Sequence, residues 1–172
     1  MEIGRLFGLP AHPLLVHAVV VLVPLSALGV AVSALWPADR WRLAWVVLGL
    51  TVVSVALVSF ASGSGEVLEE MVKKSGLVER HAELGDDYLP YALALLVGAF
   101  AVAGLQWIEG GRAGQGGSYA PRRRAPRWLV IVAAVVALLT LTAATYQMVL
   151  VGHSGAAAVW SGFGAGGGAG GP

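Results

Sequence analysis

No cysteine occurs in the 172 residues, which excludes structural disulfides, thiolate metal sites, cysteine-ligated iron–sulfur clusters and covalently attached c-type haem. A redox role would therefore need a non-covalent cofactor. Charge is scarce too: 12% of the residues are Asp, Glu, Lys or Arg, about half of the roughly 25% found in soluble domains. Four stretches hold none at all: Leu14 to Trp36, Leu43 to Ala61, Leu89 to Trp107 and Trp128 to Val151. These runs contain no carboxylate, so a proton-coupled transport path lacks its usual relay group. There is no phosphate-cradling glycine loop and no nucleophile with a base beside it, so hydrolase and ATPase chemistry lack support as well. Ser59, Ser62 and Ser64, with Gly63 and Gly65, read as the exit of a helix rather than as a catalytic loop.

What the chain has is apolar length. Hydrophobic residues make up 57% of it, and each uncharged run is near or above the roughly 20 residues with which a helix crosses about 30 Å of hydrocarbon. A membrane barrel would show alternating segments of about 10 residues instead of continuous runs. A signal peptide fits poorly, because the first run exceeds the usual 7–15 residues and only Arg5, beside Glu2, precedes it. The expected fold is all-α: an up-down bundle of four transmembrane helices, at about 13–36, 42–62, 82–108 and 127–152. Val67 and Met71 at helical spacing, among Glu69, Glu70, Lys73 and Lys74, predict a short surface helix at about 65–74, ended by Gly76. The Gly- and Pro-rich third loop and the tail, 163–172, are expected to be mobile. Gly29, Gly49, Ala94, Gly98, Ala133 and Ala137 are candidates for close helix approach.

Basic residues accumulate on the cytoplasmic side of short loops. The first loop has Arg40 and Arg42, and the third has Arg112, Arg122, Arg123, Arg124 and Arg127. Against these seven stand four: Arg5, Lys73, Lys74 and Arg80. Both termini are thus expected outside. Trp36, Trp41, Trp45, Trp107 and Trp128 mark the inner interface, and Tyr88, Tyr91 and Trp160 the outer one. The segment "PRRRAPR" reads as a topology anchor against the lipid bilayer, and no nucleic-acid partner is expected.

An up-down bundle brings the start of its first helix, the start of its third and the end of its fourth to one side. The only four histidines fall there: His12, His17, His81 and His153. Thr142, Tyr146 and His153 share one stripe of the last helix, and His17 and Pro24 one stripe of the first. A polar stripe in lipid is expected to face the bundle interior. His12 and Pro13 read as N-cap and first helical position. Neutral imidazole ligates metals, and histidines on neighbouring helices can hold haem iron axially. The four form a candidate site for haem b, or for Cu or Zn, with Tyr146, Thr142, Asp86 and Asp87 as supporting groups. Two plainer readings stand beside this one. The histidines can serve as hydrogen-bonding groups at the membrane surface with no cofactor, and Asp86 and Asp87 as caps of the third helix.

The segments "HPLLVHAVVVLVPL", "GSGEVLEEM", "ERHAELGD" and "GHSGAAAVWSG" resemble the bacterial membrane-protein family designated domain of unknown function 2231, from about Leu9 to Gly162. The family's opening pattern is histidine, proline, a second histidine five residues on, and an apolar helix. Ala18 here stands where an aromatic is usual. The resemblance implies a four-helix domain of the bacterial inner membrane with an outward-facing histidine set matching His12, His17, His81 and His153. It supplies no activity. Relatives in which the domain is joined to cytochrome-like or Rieske-type modules point by analogy to electron transfer with a redox or respiratory membrane partner. The alternative is a non-catalytic membrane subunit or assembly factor without cofactor, and the chain is not read as an enzyme.

Overall fold

The computed structural model describes residues 5–6, 8–35, 41–110 and 125–161. The third-loop arginines 112 and 122–124, Arg40, Trp36 and the glycine-rich tail lie outside them. The described chain opens with a minimal antiparallel pairing of β1 (Arg5–Leu6) with β2 (Leu9–Pro10). Its turn passes through Gly8 at φ +81°, which a side chain would disfavour. Five helices follow: α1 (Ala11–Leu35), α2 (Trp41–Met71), α3 (Gly76–Asp86), α4 (Leu89–Gly110) and α5 (Arg127–Trp160).

Four helical segments are long and apolar enough to cross a membrane, as expected. Several boundaries differ from the sequence reading. The surface helix at about 65–74 is not separate but forms the last turns of α2, which runs unbroken past Gly63 and Gly65. Gly76 begins a helix rather than ending one, because the Ser75 side chain accepts a hydrogen bond from the Val78 amide and caps α3. The third expected helix is split by a turn at Asp87 and Tyr88 into α3 and α4. α1 starts at Ala11, so His12 lies inside its first turn rather than at the N-cap.

Going round the bundle, the neighbours are α1, α2, α4, α5 and α1 again, with α3 laid mainly against α5. Small residues face inward and large apolar ones outward. α1 buries Val19, Val23, Ser26, Ala27, Val30 and Ser33, and α5 buries Ala133, Ala137, Ala144 and Gln147. Leu28, Val46, Val53, Phe100 and Leu139 point away from the bundle. Lipid tails are as apolar as leucine, so helices gain by close packing of small residues instead of by burying large ones. A Cβ on Gly29 would come within 2.7 Å of Val47, and one on Gly98 within 3.4 Å of the Ala137 backbone. Gly49, by contrast, faces open space.

Three hydroxyls in mid-bundle are hydrogen-bonded. Thr51 donates to Val47 O at 2.7 Å and Ser54 to Leu50 O at 2.9 Å. Since the Ser54 proton is thus committed, Ser26 donates to Ser54 Oγ at 3.0 Å and ties α1 to α2 in mid-bundle.

Candidate functional site

Two histidines converge at the end of the bundle that carries the termini. His12 projects from the first turn of α1, where Pro13 costs no hydrogen bond. His81 comes from the middle of α3. Their rings stand edge-to-face with centroids 6.2 Å apart, both half-buried.

Each ring is anchored from behind by a different helix. His12 Nδ1 lies 2.8 Å from Ala61 O of α2, and His81 Nδ1 lies 3.2 Å from Val151 O and 3.1 Å from Ser154 Oγ of α5. A carbonyl only accepts, so Nδ1 is the protonated nitrogen in both rings. Ser154 spends its own proton on Val151 O at 2.8 Å and therefore accepts from His81. Both Nε2 atoms keep a lone pair when the rings are neutral. A carbonyl accepting from the other ring nitrogen is a common way in which a ligating imidazole is oriented.

Two glycines make room for these rings. A Cβ on Gly65 of α2 would lie 3.0 Å from His12 Nδ1, and one on Gly155 of α5 would lie 2.9 Å from His81 Cε1. In the sequence Gly65 reads as part of a helix exit, and neither Gly155 nor Ser154 stands out as a site residue. Gly155 lies two residues after His153, and that proximity to a histidine was the available signal.

The remaining candidates stand apart from the pair. His17 is exposed, and its Nδ1 donates back to Pro13 O of its own helix. Pro24, on the same stripe, is exposed as well. The stripe of Thr142, Tyr146 and His153 points away from the bundle, with Tyr146 66% exposed, so the expectation that it faces inward is corrected. Thr142 satisfies its hydroxyl on Leu138 O at 2.7 Å, which removes the polar cost that was to drive it inside. Among the described residues no group of three or more histidines, aspartates or glutamates is arranged to hold a metal.

Asp86 accepts from Ser62 Oγ at 3.0 Å and joins α3 to α2. Asp87 occupies the C-terminal cap of α3, its amide donating to Glu83 O, rather than acting through its carboxylate at the start of a helix. Tyr88, expected at a membrane interface, is buried and donates to Ala144 O at 3.3 Å. Gln147, unnoticed in the sequence, donates to Leu84 O at 3.4 Å.

The model of a family described as predicted membrane protein, domain of unknown function 2231, matches residues 8–165. The chain belongs to this family. The match starts at the turn before α1 and extends past α5, so it takes in both members of the histidine pair. No curated protein and no solved structure matches significantly. The family description carries no activity, and the chemistry must be argued from the pair itself.

Proposed function

We propose that this membrane protein binds one transition-metal centre between His12 and His81 and serves electron transfer. The observation that carries this reading is the convergence of two imidazoles from separate helices, each with Nδ1 held by a backbone carbonyl and Nε2 left to ligate. His12 and His81 would be the residues to hold haem b iron, and the same pair could hold Cu or, with further ligands, Zn. Haem would supply a one-electron couple, while the chain's residues fix the two ring orientations.

The site sits at the end of the bundle that carries both termini, which we place outside the bacterial inner membrane on the bias of basic residues toward the opposite loops. An electron partner is then a redox or respiratory membrane protein meeting that face. With no native cysteine to interfere, Ser75→Cys and Ser118→Cys can be labelled from outside intact cells. Labelling at 75 alone supports the orientation, and labelling at 118 alone reverses it.

The deciding experiment is the absorption spectrum of protein expressed with haem available and purified in mild detergent, before and after dithionite, with metal analysis of the same sample. A band that shifts on reduction and is lost in His12→Ala and His81→Ala is the expected result. Stoichiometric Cu without a porphyrin band, lost in the same variants, would make the centre a bare ion, whereas stoichiometric Zn, which has no redox couple, would overturn the electron-transfer role.

The flush fit of the rings on Gly65 and Gly155 favours a second reading, in which the histidines clasp α1 to α2 and α3 to α5 in a non-catalytic subunit or assembly factor. Folded protein without colour or metal, whose two alanine variants merely lose thermal stability, would establish that reading over the first.

A further inference from the structure

At the opposite end of the bundle, one buried oxygen has no partner. Ser33, 2% exposed near the C-terminus of α1, carries the one buried side-chain polar atom among the described residues that lacks a hydrogen bond. Its neighbours in kind behave otherwise: Thr51, Ser54, Ser59, Thr140 and Thr142 all donate to the carbonyl four residues back. Ser33 makes no such bond. It lines a cavity of about 20 Å³ between α1, α4 and α5, together with Gln106, Val102, Ala133 and Ala134. Gln106, 8% exposed, reaches across from α4 and donates to Ser33 O at 3.1 Å.

We infer that this cavity is a binding site for a single internal water molecule, held by the Ser33 hydroxyl and the Gln106 side-chain amide. The size is sufficient, since a buried water needs roughly 10–15 Å³ and two to four polar partners. The chemistry favours it too. A hydroxyl left dry among alanine and valine side chains would carry its full desolvation cost, whereas an apolar cavity of this size without a polar wall would stay empty. The water would fill the gap left by the small side chains of α5 and connect α1 to α4. This site is independent of the histidine pair.

The test is a high-resolution structure of the full chain crystallised from a lipid phase, with thermal unfolding in detergent of the Ser33→Ala variant. A density peak within hydrogen-bonding distance of Ser33 Oγ and the Gln106 amide is the expected result, and an empty cavity at a resolution that shows other internal waters overturns the inference. The variant gives a second reading in either case. If water is bound, Ser33→Ala removes one of its partners and Tm falls by about 2–4 °C. If the cavity is dry, the substitution deletes an unsatisfied hydroxyl and Tm stays or rises, which also counts against the inference. Where the two measurements disagree, the density decides.

Discussion

At the histidine end, α3 stops at Asp86 and Gln147 of α5 donates to Leu84 O at 3.4 Å; at the opposite end, α1 stops at Leu35 and Gln106 of α4 donates to Ser33 O at 3.1 Å. In both places a buried glutamine reaches a carbonyl that its own helix cannot satisfy, because the last four carbonyls of a helix have no partner within it. The surroundings differ. Near Leu84 stand His81, Tyr88, the Ser62 and Asp86 pair and the charged residues of α3, a segment polar enough for water to compete. Near Ser33 the cavity walls are alanine, valine and leucine. The comparison teaches that an identical side chain in an identical role has a different worth at each end, since a lost bond costs most where bulk water cannot replace it.

Glutamine substitution breaks the comparison most directly. Gln106→Leu removes both the donor to Ser33 O and one of the two groups that hold the inferred water, and is expected to destabilise the bundle by about 1–3 kcal/mol. Gln147→Leu gives up a longer bond beside other donors and is expected to cost about half as much or less. Reversible unfolding by titration with a denaturing detergent measures both. Equal losses would show that the two ends are equally shielded from bulk water, and a larger loss for Gln147→Leu would invert the argument.

Mid-bundle provides the calibration between the ends. Ser26 and Ser54 bond to each other at 3.0 Å, both fully enclosed. A double-mutant cycle of Ser26→Ala and Ser54→Ala is expected to give a coupling of about 0.6 kcal/mol, the typical value for a hydrogen bond between membrane helices. It should fall below the Gln106→Leu loss, because Ser54 keeps its bond to Leu50 O when Ser26 is removed. A coupling above that loss would mean that the centre of the bundle, and not its water-bearing end, holds the helices together.

The sequence revealed the architecture because membrane insertion reads average hydropathy, which four uncharged runs record without ambiguity. It revealed the side of the bundle on which His12 and His81 lie for the same reason, since topology alone brings those helix ends together. Which histidines meet was not legible. That depends on rotation about each helix axis, and in lipid the usual guide to rotation, a contrast between apolar and polar faces, almost vanishes. Thr142 shows why a polar stripe misleads: a hydroxyl bonded to its own helix loses its aversion to lipid. The better signal was residue size. Gly65, Gly98, Ala137, Ala144 and Gly155 mark inward faces, and of the expected close-approach residues Gly29, Gly98, Ala133 and Ala137 do face inward, whereas Gly49 faces open space. The glutamines carry no charge and so leave no break in the uncharged runs. Yet Gln106 and Gln147 were the most polar side chains near their ends of the apolar runs that also had to be placed in the interior.

The smallest effects are expected for the two histidines outside the pair, and they sharpen the division within the candidate set. His17 donates only to its own helix, and His153 is exposed on the outer side of α5. His17→Ala and His153→Ala are therefore expected to leave Tm and any bound metal unchanged, measured beside His12→Ala and His81→Ala in the same detergent. His17 is the more exacting control, because it lies five residues from His12, a separation that places it about 140° round the helix from the ring that meets His81. If its loss removed the metal, α1 would have to rotate on binding, and the pair described here would be the resting arrangement of a three-histidine site. If its loss changes nothing while that of His12 removes the metal, the orientation of α1 is settled by chemistry as well as by packing.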